Sequence, residues 1–236
     1  MVEPNARSSR RACVLRALRG HAEDAEATRF RTHAGMAVVR PLHATRRVAR
    51  QYTPAIRVLI VCTGNVCRSP MAAAFLRRRL DDLHIAVDVR SAGLLDEGRP
   101  AIAEAIAVAS DYGVDLSGHA SQRTTPELLA ESDLVLGMAL EHVREAVALL
   151  PDVWPRTFTL KELISRATRV GSRAPNQPIG DWLRQASGDR DTTDLLRAHG
   201  EQDVADPTGG PPAGFHALAE ELDSSLHQLV PLVWSA

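Results

Sequence analysis

The chain has 236 residues, 44% of them hydrophobic and 24% charged, which excludes a wholly disordered or fibrous protein. No run of 18 apolar residues occurs, so no membrane-spanning helix is expected, and three cysteines fit a reducing, cytoplasmic compartment better than a disulfide scaffold. The net charge of −1 conceals a basic N-terminus, because residues 1–55 carry eleven Arg against only Glu3, Glu23, Asp24 and Glu26. That segment has no core pattern, no apolar leader core, no aromatic interleaving and no helix-turn-helix spacing. It reads as a disordered Arg-rich extension, with neither nucleic acid nor a membrane expected as partner.

From residue 56 onward the pattern is that of one α/β domain ending at residue 236. Ile56–Cys62 is short, β-branched and bounded by turn residues, as a buried strand should be. Ser69-Pro70 is a helix-start signal, Ser as cap and Pro as first residue, and the helix is expected over Met71–Leu83. A second strand is expected over Ile85–Ser91, closed by Gly93. A helix over Pro100–Tyr112 stops at Gly113. Next come a short helix Pro126–Glu131, a strand Asp133–Met138, a helix Glu141–Leu150 before Pro151, and a fourth strand Arg156–Leu160. Residues 165–203 hold Gly, Pro, Asn and many charges. They read as a long, partly mobile insertion with a short helix near Trp182–Gln185. Phe215, Leu218, Leu222, Leu226 and Leu229 then recur every three or four residues, marking an amphipathic final helix. Strands alternating with helices imply a parallel sheet covered on both faces, a three-layer doubly wound fold. The nine His show no zinc-like spacing, and His119 and His142 read as helix-end or surface residues, so no metal and no cofactor is expected.

The chemistry concentrates in Val61-Cys62-Thr63-Gly64-Asn65-Val66-Cys67-Arg68-Ser69-Pro70. A strand feeds a tight loop that opens a helix. Successive N–H groups then point inward and form an anion nest at the helix's positive end. Gly64 and Asn65 tolerate the left-handed dihedrals that such a loop needs. Arg68 supplies a planar fork matched to two phosphate oxygens. Cys62 starts the loop in the same electropositive field, which favours its thiolate, the nucleophilic form. Ser69 is placed to donate a hydroxyl to that sulfur. The residues between them, Thr63, Gly64, Asn65, Val66 and Cys67, line the anion site. Phosphoryl transfer also needs a proton for the leaving oxygen. Asp206, in the Pro/Gly turn Val204-Ala205-Asp206-Pro207-Thr208-Gly209-Gly210, is the candidate acid, and Asp203 is its nearest competitor.

Val61–Pro70 resembles the signature loop of the low-molecular-weight protein tyrosine phosphatases, V-C-x-G-N-x-C-R-S-P. Ser91-Ala92-Gly93, Leu116-Ser117-Gly118-His119, Asp133-Leu134-Val135-Leu136 with Met138, and Asp206-Pro207 resemble further segments of the family. The resemblance implies a four-stranded parallel sheet of order 2-1-3-4. It implies a cysteine-dependent phosphomonoester hydrolase, foremost a protein-tyrosine phosphatase. Cys62 is then the nucleophile that carries phosphate, Arg68 the phosphate ligand, and Asp206 the acid and later the base. It also makes Cys67 a candidate redox partner for Cys62. The implied partners are a phosphorylated protein or a small phosphomonoester, with a tyrosine kinase in the same pathway.

The sequence departs from the family in lacking an aromatic after Asp206-Pro207, where Thr208 and Gly209 stand, and in Leu94-Leu95-Asp96-Glu97-Gly98, which has no Trp or Tyr. Aromatic walls normally contact the substrate ring. The position of Val66 speaks for aryl phosphates, because the branch acting on phosphoarginine carries Thr there and Val offers no hydroxyl. Two other readings remain: a phosphatase of phosphoarginine or of a small phosphomonoester, and an arsenate reductase coupled to a small thiol. A thioredoxin-coupled reductase is disfavoured because no cysteine follows Cys67.

Overall fold

A computed structural model describes residues 56–196 and 202–234. The expected extension over residues 1–55 lies outside the described residues, as do residues 197–201 of the expected insertion. Four strands form one parallel sheet: β1 (Ile56–Cys62), β2 (Val87–Gly93), β3 (Leu134–Gly137) and β4 (Thr157–Thr159), in the order β2-β1-β3-β4. The expected order 2-1-3-4 is therefore present.

The alternation of β1 explains the three layers. Val58, Ile60 and Cys62 face one apolar cluster, whereas Leu59 and Val61 face another. A strand buried on both faces must be apolar throughout, which is why this segment shows no polar alternation. The first face is covered by α1 (Arg68–Asp82), α2 (Ala103–Asp111), α5 (Leu160–Val170), α6 (Ile179–Ala186) and α7 (Ala213–Val233), the second by α3 (Pro126–Glu131) and α4 (Leu140–Leu149). Phe215, Leu218, Leu222, Leu226 and Leu229 all enter the first cluster from α7, as their spacing implies.

Two sequence expectations change. The helix after the loop begins at Arg68, with Cys67 at its cap and no side-chain cap bond, so Ser69 is not the cap. Its hydroxyl has a different partner, described below. The segment 165–203 contains much more regular structure than one short helix. Residues 160–170 and 179–186 form α5 and α6, and Leu163, Ala167, Trp182, Leu183 and Ala186 are buried. Gly171, at φ 87°, ends α5, and its carbonyl accepts a hydrogen bond from Trp182 Nε1 at 3.0 Å. Trp182 is 1% exposed. Trp182→Ala is expected to cost about 3–5 kcal/mol through the lost burial and the cavity left behind. The check is a lower denaturant midpoint at unchanged slope.

The sheet also delivers the site. β1 ends at Cys62, opposite Gly93 on β2, at the carboxyl edge where open α/β sheets bind ligands. Gly93 cannot be another residue, since an added Cβ would lie 2.8 Å from Asn65 N and 2.9 Å from Thr63 O. The end of β2 is the floor on which the loop rests.

Candidate active site

The loop between β1 and α1 wraps the Cys62 sulfur. Asn65 N–H donates to Cys62 Sγ at 3.2 Å, and Ser69 Oγ lies 3.0 Å from the same atom. Asn65 Nδ2 donates to Ser69 Oγ at 2.8 Å, so the hydroxyl proton is left for Cys62 Sγ, with Ala92 O at 3.3 Å as the other acceptor. Asn65 has φ 50°, inside the left-handed region, and is fully buried. Three contacts hold it there: Gln122 N–H donates to its Oδ1 at 2.8 Å, His119 Nε2–H donates to its carbonyl at 2.7 Å, and its own amide binds Ser69. Such over-determination is what keeps a non-glycine residue in that conformation. The sequence expectation that Asn65 takes the left-handed turn is met, and His119 proves to be a prop of the loop.

Arg68, on the first turn of α1, is 5% exposed. Its Nη1 donates to Val204 O at 3.4 Å, and its Nη2 donates to Thr63 Oγ1 at 3.2 Å and to Asp206 Oδ2 at 2.5 Å. Asp206 is thereby brought to the loop from 138 positions away, and its side chain is 42% exposed. Its other oxygen accepts the Thr208 N–H at 3.0 Å, which fixes the turn. Asp203, the competitor, serves elsewhere: its Oδ1 accepts from Leu140 N at the start of α4. Asp203 and Val204 anchor the turn, with Val204 N–H on Met138 O at 2.7 Å and Lys161 Nζ on Asp203 O at 2.9 Å. The first carboxylate of the segment is engaged at the start of α4 and the second pairs with Arg68 at the loop.

A cysteine sulfur facing a backbone N–H, a guanidinium and a carboxylate on an exposed turn are thus brought together at one loop. The model of the low molecular weight phosphotyrosine protein phosphatase family matches residues 57–175. The chain belongs to this family. Over 102 residues it is 43% identical to the low molecular weight protein-tyrosine-phosphatase Etp of Escherichia coli K12, a stretch covering 43% of this chain and 66% of Etp, just under two thirds. Over 174 residues it is 30% identical to a protein-arginine-phosphatase of Geobacillus stearothermophilus, covering 73% of this chain and 93% of that one. A solved low molecular weight protein tyrosine phosphatase from T. tengcongensis matches with a TM-score of 0.58 and 32% identity, over 75% of this chain and 98% of that one.

Within the loop the remaining residues take distinct places. Val66 is 8% exposed and its carbonyl accepts from Ile102 N–H at 3.0 Å, tying the loop to the start of α2. Cys67 is buried, and burial, with the negative charge of Asp206 next, pushes its thiol up to about 12. It is therefore protonated at neutral pH. Gly64, also expected in the left-handed region, is not in it, and an added Cβ would meet Val66 Cγ2 at an ordinary contact distance of 3.4 Å. Leu94 and Leu95 amides both donate to Thr63 O, at 2.8 and 3.1 Å, which places this segment beside the loop. Leu95 is 48% exposed and offers the apolar surface that no aromatic supplies.

The structure adds two residues that the sequence pattern did not mark. His142, expected at a helix end or on the surface, is at the first turn of α4 but is 0% exposed, with Nε2 3.0 Å from Thr63 Oγ1. Glu141 Oε1 accepts from the same hydroxyl at 3.3 Å. The one available signal was local: a His in the first helical turn after a buried strand, where side chains turn back on the chain to satisfy free N–H groups.

Proposed function

We propose that this chain hydrolyses phosphomonoesters through a phosphocysteine on Cys62, with phosphotyrosine in proteins as its substrate class. The observation that carries this reading is the Cys62 sulfur under the Asn65 N–H and Ser69 hydroxyl, with Arg68 alongside and bonded to Asp206. A phosphate dianion entering the nest competes with Asp206 for the guanidinium. Its oxygens take the loop N–H groups and the fork, and the freed Asp206 carboxylate takes a proton from solvent and turns toward the leaving oxygen. The Cys62 thiolate attacks phosphorus as the ester P–O bond breaks, and protonated Asp206 gives its proton to that oxygen. Water then attacks the phosphocysteine, Asp206 takes the proton back, and phosphate leaves with the thiolate restored. The transition-state charge sits on oxygens already faced by N–H donors and Arg68.

The aryl preference rests on Val66, which presents only methyl groups, and on Leu95 at the rim. The relatives' names point two ways, to tyrosine and to arginine phosphatases. The deciding experiment compares kcat/KM on a phosphotyrosine peptide and on a phosphoarginine peptide of the same sequence. The expected ratio favours phosphotyrosine by at least about tenfold, equivalent to ~1.4 kcal/mol, and Val66→Thr is expected to move it toward phosphoarginine. A wild-type preference for phosphoarginine refutes the aryl assignment and leaves the phosphocysteine chemistry standing. Thiol-coupled arsenate reduction by the same preparation is expected to be absent. We place the reaction in the cytoplasm, downstream of a kinase that phosphorylates tyrosine.

A further inference from the structure

Thr63 follows the nucleophile, yet its hydroxyl is saturated by protein. A threonine hydroxyl has one proton and two lone pairs. Here Arg68 Nη2 donates to it at 3.2 Å, Glu141 Oε1 accepts from it at 3.3 Å, and His142 Nε2 lies 3.0 Å away. The direction of the last bond follows from the far side of the ring. Ala139 N–H donates to His142 Nδ1 at 2.9 Å, so Nδ1 is the acceptor and the single proton of the neutral ring is on Nε2. Burial, with the charge of Arg68 next, lowers the His142 pKa to about 3, so the ring is neutral at physiological pH. The Nε2–H faces Thr63 Oγ1 at 3.0 Å and Glu141 Oε1 at 3.3 Å; the shorter contact, with that of Arg68, fills the two lone pairs of Thr63, and the Thr63 proton goes to Glu141.

Arg68 needs such a support. In this structure one of its nitrogens is shared between Thr63 and Asp206, and the acid must leave when phosphate arrives. The contacts that remain are Thr63 Oγ1 and Val204 O. Thr63 is fixed by a ring that is 0% exposed and itself pinned to the backbone of α4. We propose that His142 is a positioning residue for phosphate binding: through Thr63 it holds the Arg68 guanidinium in place while Asp206 moves between the guanidinium and the leaving group. The inference rests on the phosphatase reading above and deepens it. Without His142, the Thr63 hydroxyl loses its fixed orientation, and the fork settles on Asp206, so inorganic phosphate and substrate bind less well.

His142 has two hydrogen bonds, and two substitutions separate them. Gln places its amide N–H where Nε2–H was and restores the donor to Thr63. Asn places its amide oxygen where Nδ1 was and restores only the acceptor for Ala139. The test measures KM, kcat and inhibition by inorganic phosphate for His142→Leu, His142→Gln, His142→Asn, Thr63→Val and the double variant His142→Leu/Thr63→Val, with thermal melting of each. The expected result is about a tenfold or greater loss of kcat/KM and of phosphate affinity in His142→Leu and in Thr63→Val, the scale of a hydrogen bond to a charged group. His142→Gln recovers most of that loss and His142→Asn does not, whatever their melting temperatures. The double variant is no worse than the poorer single one, because both changes break one chain of contacts. Rescue by Asn and not by Gln assigns His142 to capping α4 alone and overturns the proposal. So do losses that multiply in the double variant, or unchanged phosphate inhibition in a folded His142→Leu protein. A wild-type protein that neither binds phosphate nor hydrolyses aryl phosphates fails the phosphatase reading itself, a separate outcome.

Discussion

Cys62→Ser is expected to lower turnover by on the order of 10⁶-fold, the scale on which an enzyme loses rate when its nucleophile is removed. The Asn65 N–H and the Ser69 hydroxyl face the sulfur at 3.2 and 3.0 Å, where they can stabilise the negative charge of an attacking or leaving sulfur. A serine hydroxyl stays protonated at neutral pH and gives that cradle nothing to stabilise. The nest and Arg68 are untouched, so inorganic phosphate should still bind, by isothermal calorimetry or by protection against thermal unfolding. Binding that survives while turnover vanishes separates a lost nucleophile from a lost pocket. Arg68→Lys should behave in the opposite way. A compact point charge cannot bridge Thr63 and two phosphate oxygens at once, so both phosphate affinity and turnover fall. Turnover retained in Cys62→Ser is incompatible with the assigned role.

Asp206→Asn is the second large effect. The loss on an alkyl or unactivated aryl phosphate should be ~10²–10⁴-fold, the general-acid range. An activated ester such as para-nitrophenyl phosphate, whose leaving oxygen needs little protonation, should lose less in the first chemical step. The resting contact of Asp206 with Arg68 adds a second signature. Asn carries no charge to compete with an incoming dianion, so inorganic phosphate should inhibit the variant at least as strongly as wild type. Asp203→Asn should not reproduce this pattern, because Asp203 Oδ1 is engaged with Leu140 N at the start of α4. An equal loss on both kinds of ester, or a larger loss from Asp203→Asn, would place the acid elsewhere.

The part of the site legible in the sequence is the part made by neighbours along the chain. Cys62 to Ser69 spans a strand end, a turn and a helix start, and each needs residue types that announce themselves: β-branched residues before, Gly64-Asn65 in the turn, Arg68 at the helix. Asp206 could be named because Asp-Pro in a Pro/Gly turn is itself a local pattern. Thr63, Glu141 and His142 could not be joined in advance, since they meet across 78 and 79 positions and nothing in either segment advertises the other. His142 was also disguised by its type, because a histidine among charged residues reads as exposed until burial is known. Gly93 shows the same gap: it reads as a strand end, whereas its reason is the Asn65 backbone 2.8 Å from where a Cβ would be.

The fold followed the same division. The four strands were legible because buried parallel strands are nearly continuous apolar runs. Helices α5 and α6 were obscured by charges in and after them that the fold pairs and largely buries. Arg166 reaches back to Glu162 at 2.7 Å, and Arg190 stacks 3.6 Å from the Trp154 ring centroid. Counted along the chain, such residues make the segment look like a polar loop. Taken every three or four positions, Leu160, Leu163 and Ala167, then Ile179, Trp182, Leu183 and Ala186, are two apolar stripes. The periodicity was present, but Gly171, Pro175 and Pro178 between the stripes broke it into short pieces.

The central claim is the transfer of phosphate to Cys62, and Asp206→Asn is the variant in which to catch it. With para-nitrophenyl phosphate the first step needs little acid, whereas attack of water on the phosphocysteine lacks its base, so the intermediate should accumulate. Mixing the variant with this ester, following para-nitrophenol release through the first turnover, and quenching in acid for peptide mass spectrometry reads both halves of the event. The predicted result is a burst of para-nitrophenol approaching one equivalent of enzyme, with phosphate on the sulfur of Cys62. Phosphate on Ser69 or Cys67, or steady release with no phosphorylated peptide at any time, would contradict the account.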